Sequence, residues 1–299
     1  MYINRVSDEY RRIFGCKVYK LAIEGGFTCP NRDGTCGSGG CTFCSSQGSG
    51  EFAAKGSDIS EQIEKAKKLV ARKSKSAKFI AYFQSFSNTY APKEILKVKF
   101  EQACEREDIA ALCIATRPDC LPEETLELLS DINRVKPVYI ELGLQTIHEE
   151  TARAINRGYS LYVYDRAVDE LGKRGIYTVT HMIIGLPGES EEMIYETARY
   201  IGASGVRGIK LHLLYILSDA AMKEDYYKGD IKVLSMDEYI RLLAGCIERL
   251  PESMVIHRLT GDPPKAKLIA PQWSADKKRV LNSINRYLID NDVTQGRYL

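Results

Sequence analysis

Seven short apolar runs, each followed by a stretch of helical periodicity, constrain this chain more than any other feature of its sequence. The runs are 17–23 (KVYKLAI), 77–83 (AKFIAYF), 109–115 (IAALCIA), 136–144 (KPVYIELGL), 177–185 (YTVTHMIIG), 208–214 (GIKLHLL) and 254–257 (MVIH). Amphipathic patterns over 58–74, 92–105, 122–132, 161–173, 190–203, 236–249 and 275–290 predict the helices that separate and follow them. Strands alternating with helices are joined by right-handed crossovers, which makes the sheet parallel. Strands that are apolar almost throughout fit a sheet covered on both faces. Six or seven such units predict an α/β fold: a full or partial (β/α) barrel, with a doubly wound open sheet as the other solution.

In either architecture the chemistry gathers at the carboxyl ends of the strands. Polar, motif-like stretches fall there: GGFTCPNRDG after the first run, QSFSNTYAP after the second and TRPD after the third. QT, LPGE and LSDA follow the fourth, fifth and sixth, so one shared mouth is expected. The 299 residues, 44% hydrophobic and 27% charged, suffice for one large domain and lack the bias of a disordered chain. No apolar run has the length of a membrane span, and the N-terminal segment lacks a signal peptide's apolar core. A cytoplasmic protein without a membrane partner is the expectation. A net charge of +2 neither demands nor excludes nucleic acid.

Nine cysteines in such a chain argue against a disulfide framework. Cys16, Cys104, Cys113, Cys120 and Cys246 are scattered and read as small buried hydrophobes. The other four fall within sixteen residues, as Cys29, Cys36, Cys41 and Cys44. Thiolates on a glycine-rich loop suit an iron–sulfur cluster, because glycine lets the backbone wrap closely around it. Three thiolates on a four-iron cubane leave one iron open to a ligand. With Cys36 as a fourth donor, the same residues would close a tetrahedral zinc site and serve as a scaffold. Reduced thiols without metal are the third reading.

The segment GGFTCPNRDGTCGSGGCTFC is followed in order by YFQSFSNTYAP, TRPDCLP, ELGLQTIHEETARAINRGY, HMIIGLPGE, KLHLLY and HRLTGDPP. Together they resemble the YhcC/YtqA-type radical S-adenosylmethionine (SAM) proteins, relatives of the Elongator catalytic subunit and the oxygen-independent coproporphyrinogen oxidases. The resemblance implies a partial (β/α)6 TIM-like radical SAM barrel over 16–258, a short N-terminal extension over 1–15 and a helical C-terminal extension over 259–299. It implies a [4Fe–4S] cluster on Cys29, Cys41 and Cys44, and leaves Cys36 at no ligand position. Phe43 matches the aromatic beside the SAM adenine. Asn88 and Thr89 match a loop against the methionine amino group, written SFSNT here where relatives are glycine-rich. Gln145, Arg157 and His181 match SAM contacts of the coproporphyrinogen oxidase branch, which has aspartate where His181 stands. Gly185 opens the turn that passes the adenine. Leu217-Ser-Asp-Ala220 replaces a Lys-Gly-Thr-like stretch.

The implied activity is reductive cleavage of SAM to a 5′-deoxyadenosyl radical, with an electron from reduced flavodoxin or ferredoxin, and hydrogen abstraction from a substrate. The tRNA-modifying relatives imply a wobble-uridine substrate in the 5-aminomethyl-type pathway, with tRNA as partner. A radical enzyme acting on a small molecule or protein, and a non-enzymatic zinc or iron–sulfur protein, are the alternatives. Other polar residues carry two readings each. Arg117 is an anion contact or a cap, and Glu141 a ligand contact or a buried ion pair. His212 is a core histidine or faces the barrel interior, and His257-Arg258 touches substrate or stabilises a loop. His148 reads as a surface residue. The basic runs 65–78 and 276–287, the latter near Trp273, read as solvated faces or as phosphate contacts.

Overall fold

In the computed structural model, which describes residues 3–70 and 78–299, all seven runs become strands. They are β1 (Tyr19–Ile23), β2 (Phe79–Phe83), β3 (Ile109–Thr116), β4 (Val138–Gln145), β5 (Tyr177–Ile184) and β6 (Gly208–Leu213), then, after a two-residue β7 (Ile216–Leu217), β8 (Val255–Arg258). A short β9 (Leu268–Ala270) pairs antiparallel with β7. The helices are α1 (Val6–Phe14), α2 (Ile59–Val70), α3 (Lys93–Cys104), α4 (Glu123–Val135), α5 (Glu149–Ala154), α6 (Leu161–Lys173), α7 (Glu191–Ala203), α8 (Lys223–Lys228), α9 (Met236–Glu248) and α10 (Lys277–Asp290). The sheet runs β1-β2-β3-β4-β5-β6-β8, parallel throughout, and curls without pairing its two edges. This is the partial barrel of the expectation, and the open-sheet alternative falls away. Residues 71–77 of the basic run lie outside the described residues. Among the described residues no helix is long and apolar enough to cross a membrane.

The outer face of the sheet buries Leu21, Phe83, Ile114, Ile140 and Leu142 against helix residues such as Ile63, Leu96, Phe100 and Leu129. The inner face is different. Tyr10 of α1, Tyr82, Tyr139 and Tyr177 form a separate cluster inside the curl. The Tyr10 ring stands edge-on to Tyr139 at 5.9 Å and to His257 at 6.1 Å, which plugs the amino-terminal end of the half-barrel. The segment before β1 packs against the barrel through these contacts. Arg5 forms a parallel bridge with Ile256, and the Asn4 backbone N–H donates to Gln295 near the other end of the chain.

Above this plug lies a layer of charge. Glu141 on β4, 1% exposed, accepts from Lys20 of β1 at 2.7 Å, Lys210 of β6 at 2.5 Å, Tyr82 of β2 at 2.7 Å and His181 of β5 at 2.9 Å. The Cys113 thiol of β3 adds a contact at 3.0 Å. Burial opposes the carboxylate's charge, but Lys20, Lys210 and His181 outweigh it and hold its pKa well below the ordinary range. Burial also opposes the two lysines, with opposite results. Cys113 and Glu141 overcome it at Lys20, whose pKa rises. At Lys210, burial with repulsion from Lys20 and Arg258 prevails over Glu141 and brings the ammonium down to about 8. Burial and the Lys210 charge lower His181 to about 4, so it is neutral at physiological pH.

Removing one member of such a buried set leaves the others uncompensated, at a cost of about 3–5 kcal/mol. Glu141→Gln is expected to lower stability by that order in urea denaturation. Adding Lys210→Met should restore part of the loss. Because the carboxylate's folded pKa is depressed, its contribution is full above the ordinary carboxylate range and fades as pH falls through the folded value. Stability measured against pH should therefore show an acid limb in the native protein that is reduced in Glu141→Gln.

Candidate active site

The loop between β1 and α2 carries the clustered cysteines to the carboxyl end of the sheet. Cys29, Cys41 and Cys44 all line one cavity of about 650 Å³, together with residues of the charged layer. Asn31, fully buried, organises the first half of the loop: its Nδ2 donates to the Asn156 carbonyl at 2.6 Å and its carbonyl accepts from Gly40. Two glycines are required by close approach. A Cβ at Gly37 would stand 2.2 Å from Asn31 Oδ1, and one at Gly40, where φ is +78°, 2.8 Å from Arg32 Nε. Asn156, itself at positive φ, donates back to Gly40, and Thr42 N–H reaches the Ile155 carbonyl. Arg32 donates to the Ser45 carbonyl at 2.5 Å. Asp219 fastens the far end, accepting from Ser46 N–H at 3.2 Å, Ser46 Oγ at 2.5 Å and Lys267 at 2.7 Å.

Sulfur-directed contacts are already present. Asn31 Nδ2 lies 3.8 Å from Cys41 Sγ, and Ser49 Oγ 4.0 Å from Cys44 Sγ. Burial, reinforced by the neighbouring Cys44, pushes the Cys41 thiol up to about 12, and burial also raises Cys44 despite nearby Arg32. Such thiols are poor nucleophiles as they stand and lose their protons to a metal centre rather than to solvent. Cys36 is placed apart: exposed, off the cavity, 3.6 Å from Arg117 Nη2 and 3.9 Å from Asp119 Oδ2. Among the described residues no three His, Cys, Asp or Glu side chains gather closely enough for a single ion. Three thiols around one roomy cavity, with polar hydrogens aimed at two of the sulfurs, fit a multi-iron cluster; the four-thiol zinc arrangement has no counterpart here.

Of the other residues matched by motif, Phe43, Gln145 and His181 line the same cavity. Asn88, Thr89 and Arg157 do not. Asn88 is fully buried and donates to the Ala115 carbonyl; Thr89 donates to the Cys120 carbonyl at 2.5 Å. Arg157, 1% exposed, spends its guanidinium on the carbonyls of Tyr159, Leu144 and Thr146. Gly185, at φ +94°, lines a neighbouring cavity of about 420 Å³ with Glu189. Arg117 is structural in its contacts, forked onto Asp119 and donating to the Arg157 carbonyl at 2.8 Å. His148 is half-buried against the Met193 carbonyl, while His212, His257 and Arg258 line the cavity.

The sequence did not reveal Asn31, Asn156 or Asp219, whose partners are remote in the chain. Nor did it reveal strain. Three of the five non-glycine residues at positive φ among the described residues, Ser49 (63°), Phe86 (61°) and Gln145 (71°), line this cavity. Left-handed backbone at such residues concentrates where geometry serves function.

Comparison with known proteins agrees with this geometry. The Radical SAM superfamily model matches residues 29–201, and the Radical_SAM C-terminal domain model residues 206–290. YtqA of Bacillus subtilis (strain 168) is 45% identical over 289 residues, 96% of this chain and 90% of that one. YhcC of Escherichia coli (strain K12) is 35% identical over 99% of this chain and 95% of its own length. A tRNA uridine(34) acetyltransferase of Methanocaldococcus infernus is 24% identical over 53% of this chain, a match spanning 30% of that protein. The solved structure of archaeal Elp3 from Methanocaldococcus infernus, with an N-terminal deletion, shares the fold: TM-score 0.71 at 17% identity, over 93% of this chain but 64% of that one. The chain belongs to the Radical SAM superfamily, alongside YtqA and YhcC, and is an enzyme of this class, which works with a [4Fe–4S] cluster and SAM.

Proposed function

We propose that the enzyme holds its cluster through Cys29, Cys41 and Cys44 and directs radical chemistry at a uridine of tRNA. The observation that carries the cluster assignment is the shared cavity: three thiols face it and the fourth, Cys36, is engaged elsewhere. Held by three thiolates rather than four, such a cluster would remain able to take up SAM. Phe43 offers a flat apolar face to the adenine, and Gln145, fixed by its unusual backbone, presents an amide to the nucleotide. His181, neutral and tied to Glu141, supplies a hydrogen-bonding group without charge. Bound there, the cluster would supply the single electron, drawn from flavodoxin or ferredoxin, that reductive cleavage of SAM requires. The protein's part is to orient SAM and substrate, and to keep water away with walls such as Ile183, Leu213 and Leu214.

The uridine reading draws its support from the relative that acts on tRNA uridine(34). The tRNA itself would be the partner, docking at the carboxyl end of the strands where the cavity opens.

Two measurements test these assignments. Anaerobically reconstituted enzyme should carry about four irons per chain and release 5′-deoxyadenosine from SAM with dithionite. Cys29→Ala, Cys41→Ala and Cys44→Ala should each lose both properties, while Cys36→Ala keeps both; loss of iron in Cys36→Ala would reinstate a fourth donor. Mass spectrometry of tRNA nucleosides from a strain lacking the gene should show a changed uridine derivative at the wobble position. An unchanged profile would exclude tRNA and leave a small-molecule or protein substrate.

A further inference from the structure

We propose that the β6–β8 wall of this cavity is an anion subsite, in which Arg258 and His212 take a carboxylate or phosphate group carried by the substrate. The proposal rests on the reading of the cavity as the radical site and adds the chemical character of what enters it.

The first argument is charge. Six Lys or Arg side chains line the cavity against three Glu or Asp. Glu141 is committed to Lys20 and Lys210 and Asp262 to Lys277, while Glu51 lies 3.9 Å from Lys267 and its Oε1 makes no hydrogen bond among the described residues. Of the cations, Arg32 is spent on backbone carbonyls and Arg117 on Asp119. Arg258, half-buried, makes no hydrogen bond or ion pair among the described residues. It sits on β8 beside Lys210, its register partner on β6, so two cations stand side by side on the wall.

The second argument is an unanswered donor. His212 follows Lys210 by two residues on β6 and faces the same side. Its Nε2 is buried with no hydrogen-bond partner among the described residues, and its ring lies 4.9 Å from that of His181. Burial, then the neighbouring His181 and the Arg258 and Lys210 charges, keeps the His212 imidazole neutral, so its ring can offer one N–H. Arg258 likewise disfavours the charged forms of Lys210 and His181, as expected of a cation close to both. An oxyanion would satisfy the guanidinium fork and the imidazole together. In the same reading SAM belongs to the cluster, which leaves the substrate to supply the anion.

The test uses the anaerobically reconstituted enzyme, with and without saturating SAM. Binding of [13C]acetate and of inorganic phosphate is followed by NMR line broadening, with acetamide as the uncharged control. At least one anion should bind in the presence of SAM, and acetamide should not. Arg258→Gln should weaken binding by at least about tenfold, and Arg258→Lys should recover part of it. His212→Phe gives an independent loss should Arg258→Gln fold poorly by circular dichroism. Preference for acetate assigns a substrate carboxylate; preference for phosphate assigns a nucleotide phosphate. Binding of neither anion, equal binding by Arg258→Gln and His212→Phe, or binding abolished by SAM would overturn the subsite. Release of 5′-deoxyadenosine by the same preparation is scored separately. An enzyme that cleaves SAM but binds no anion refutes the subsite alone, and one that binds anions but cleaves no SAM refutes the cluster reading alone.

Discussion

A single carboxylate ties the interior of this half-barrel together. Glu141 projects from β4 and is touched by side chains from β1, β2, β3, β5 and β6, so one group sets the spacing of six strands. An open barrel cannot fix its curvature by closing a ring of backbone hydrogen bonds. Here the curl is held from within, by two ammonium groups that share two carboxylate oxygens. The arrangement is demanding, because buried charge is tolerated only while every member is present. It also divides the interior into levels: an aromatic plug below, charge in the middle and thiols at the mouth.

That division explains what the sequence could and could not convey. The seven strands were legible because both faces are covered and their apolar runs are nearly unbroken. α1 went unassigned, although Val6, Tyr10, Ile13 and Phe14 recur at helical spacing along its nine residues. The cysteine loop announced itself through spacing and glycine content, and its three cavity-facing thiols are those the family pattern selects. The scaffold of the loop stayed hidden: Asn31 and its acceptor are 125 residues apart, and Ser46 and Asp219 are 173 apart. No local pattern encodes such pairs. A motif preserves the identity of a residue but not the direction of its side chain, and the Arg157 guanidinium donates to three backbone carbonyls.

Function follows from how these levels meet. The loop is fastened at both ends by polar contacts, through Asn31 and Asn156 on one side and Asp219 on the other. Its sulfurs are therefore positioned by the fold before any cluster binds, which limits the reorganisation that metal binding requires. The β7–β9 ladder is a short structure with a specific effect: Leu217 of β7 lines the cavity, and Asp219 just beyond it reaches Ser46 of the cysteine loop.

The left-handed backbone at Ser49, Phe86 and Gln145 has a further meaning. Each conformation costs on the order of 1–3 kcal/mol in a residue with a side chain, and glycine would relieve most of it. A programme that sought a hardier protein by replacing strained residues would be drawn to these three positions first. It would then be erasing the cavity wall, since the ring of Phe86 stacks under Arg32 and the amide of Gln145 belongs to the lining. In this molecule, the places where the chain is least comfortable are where robustness has been exchanged for aim.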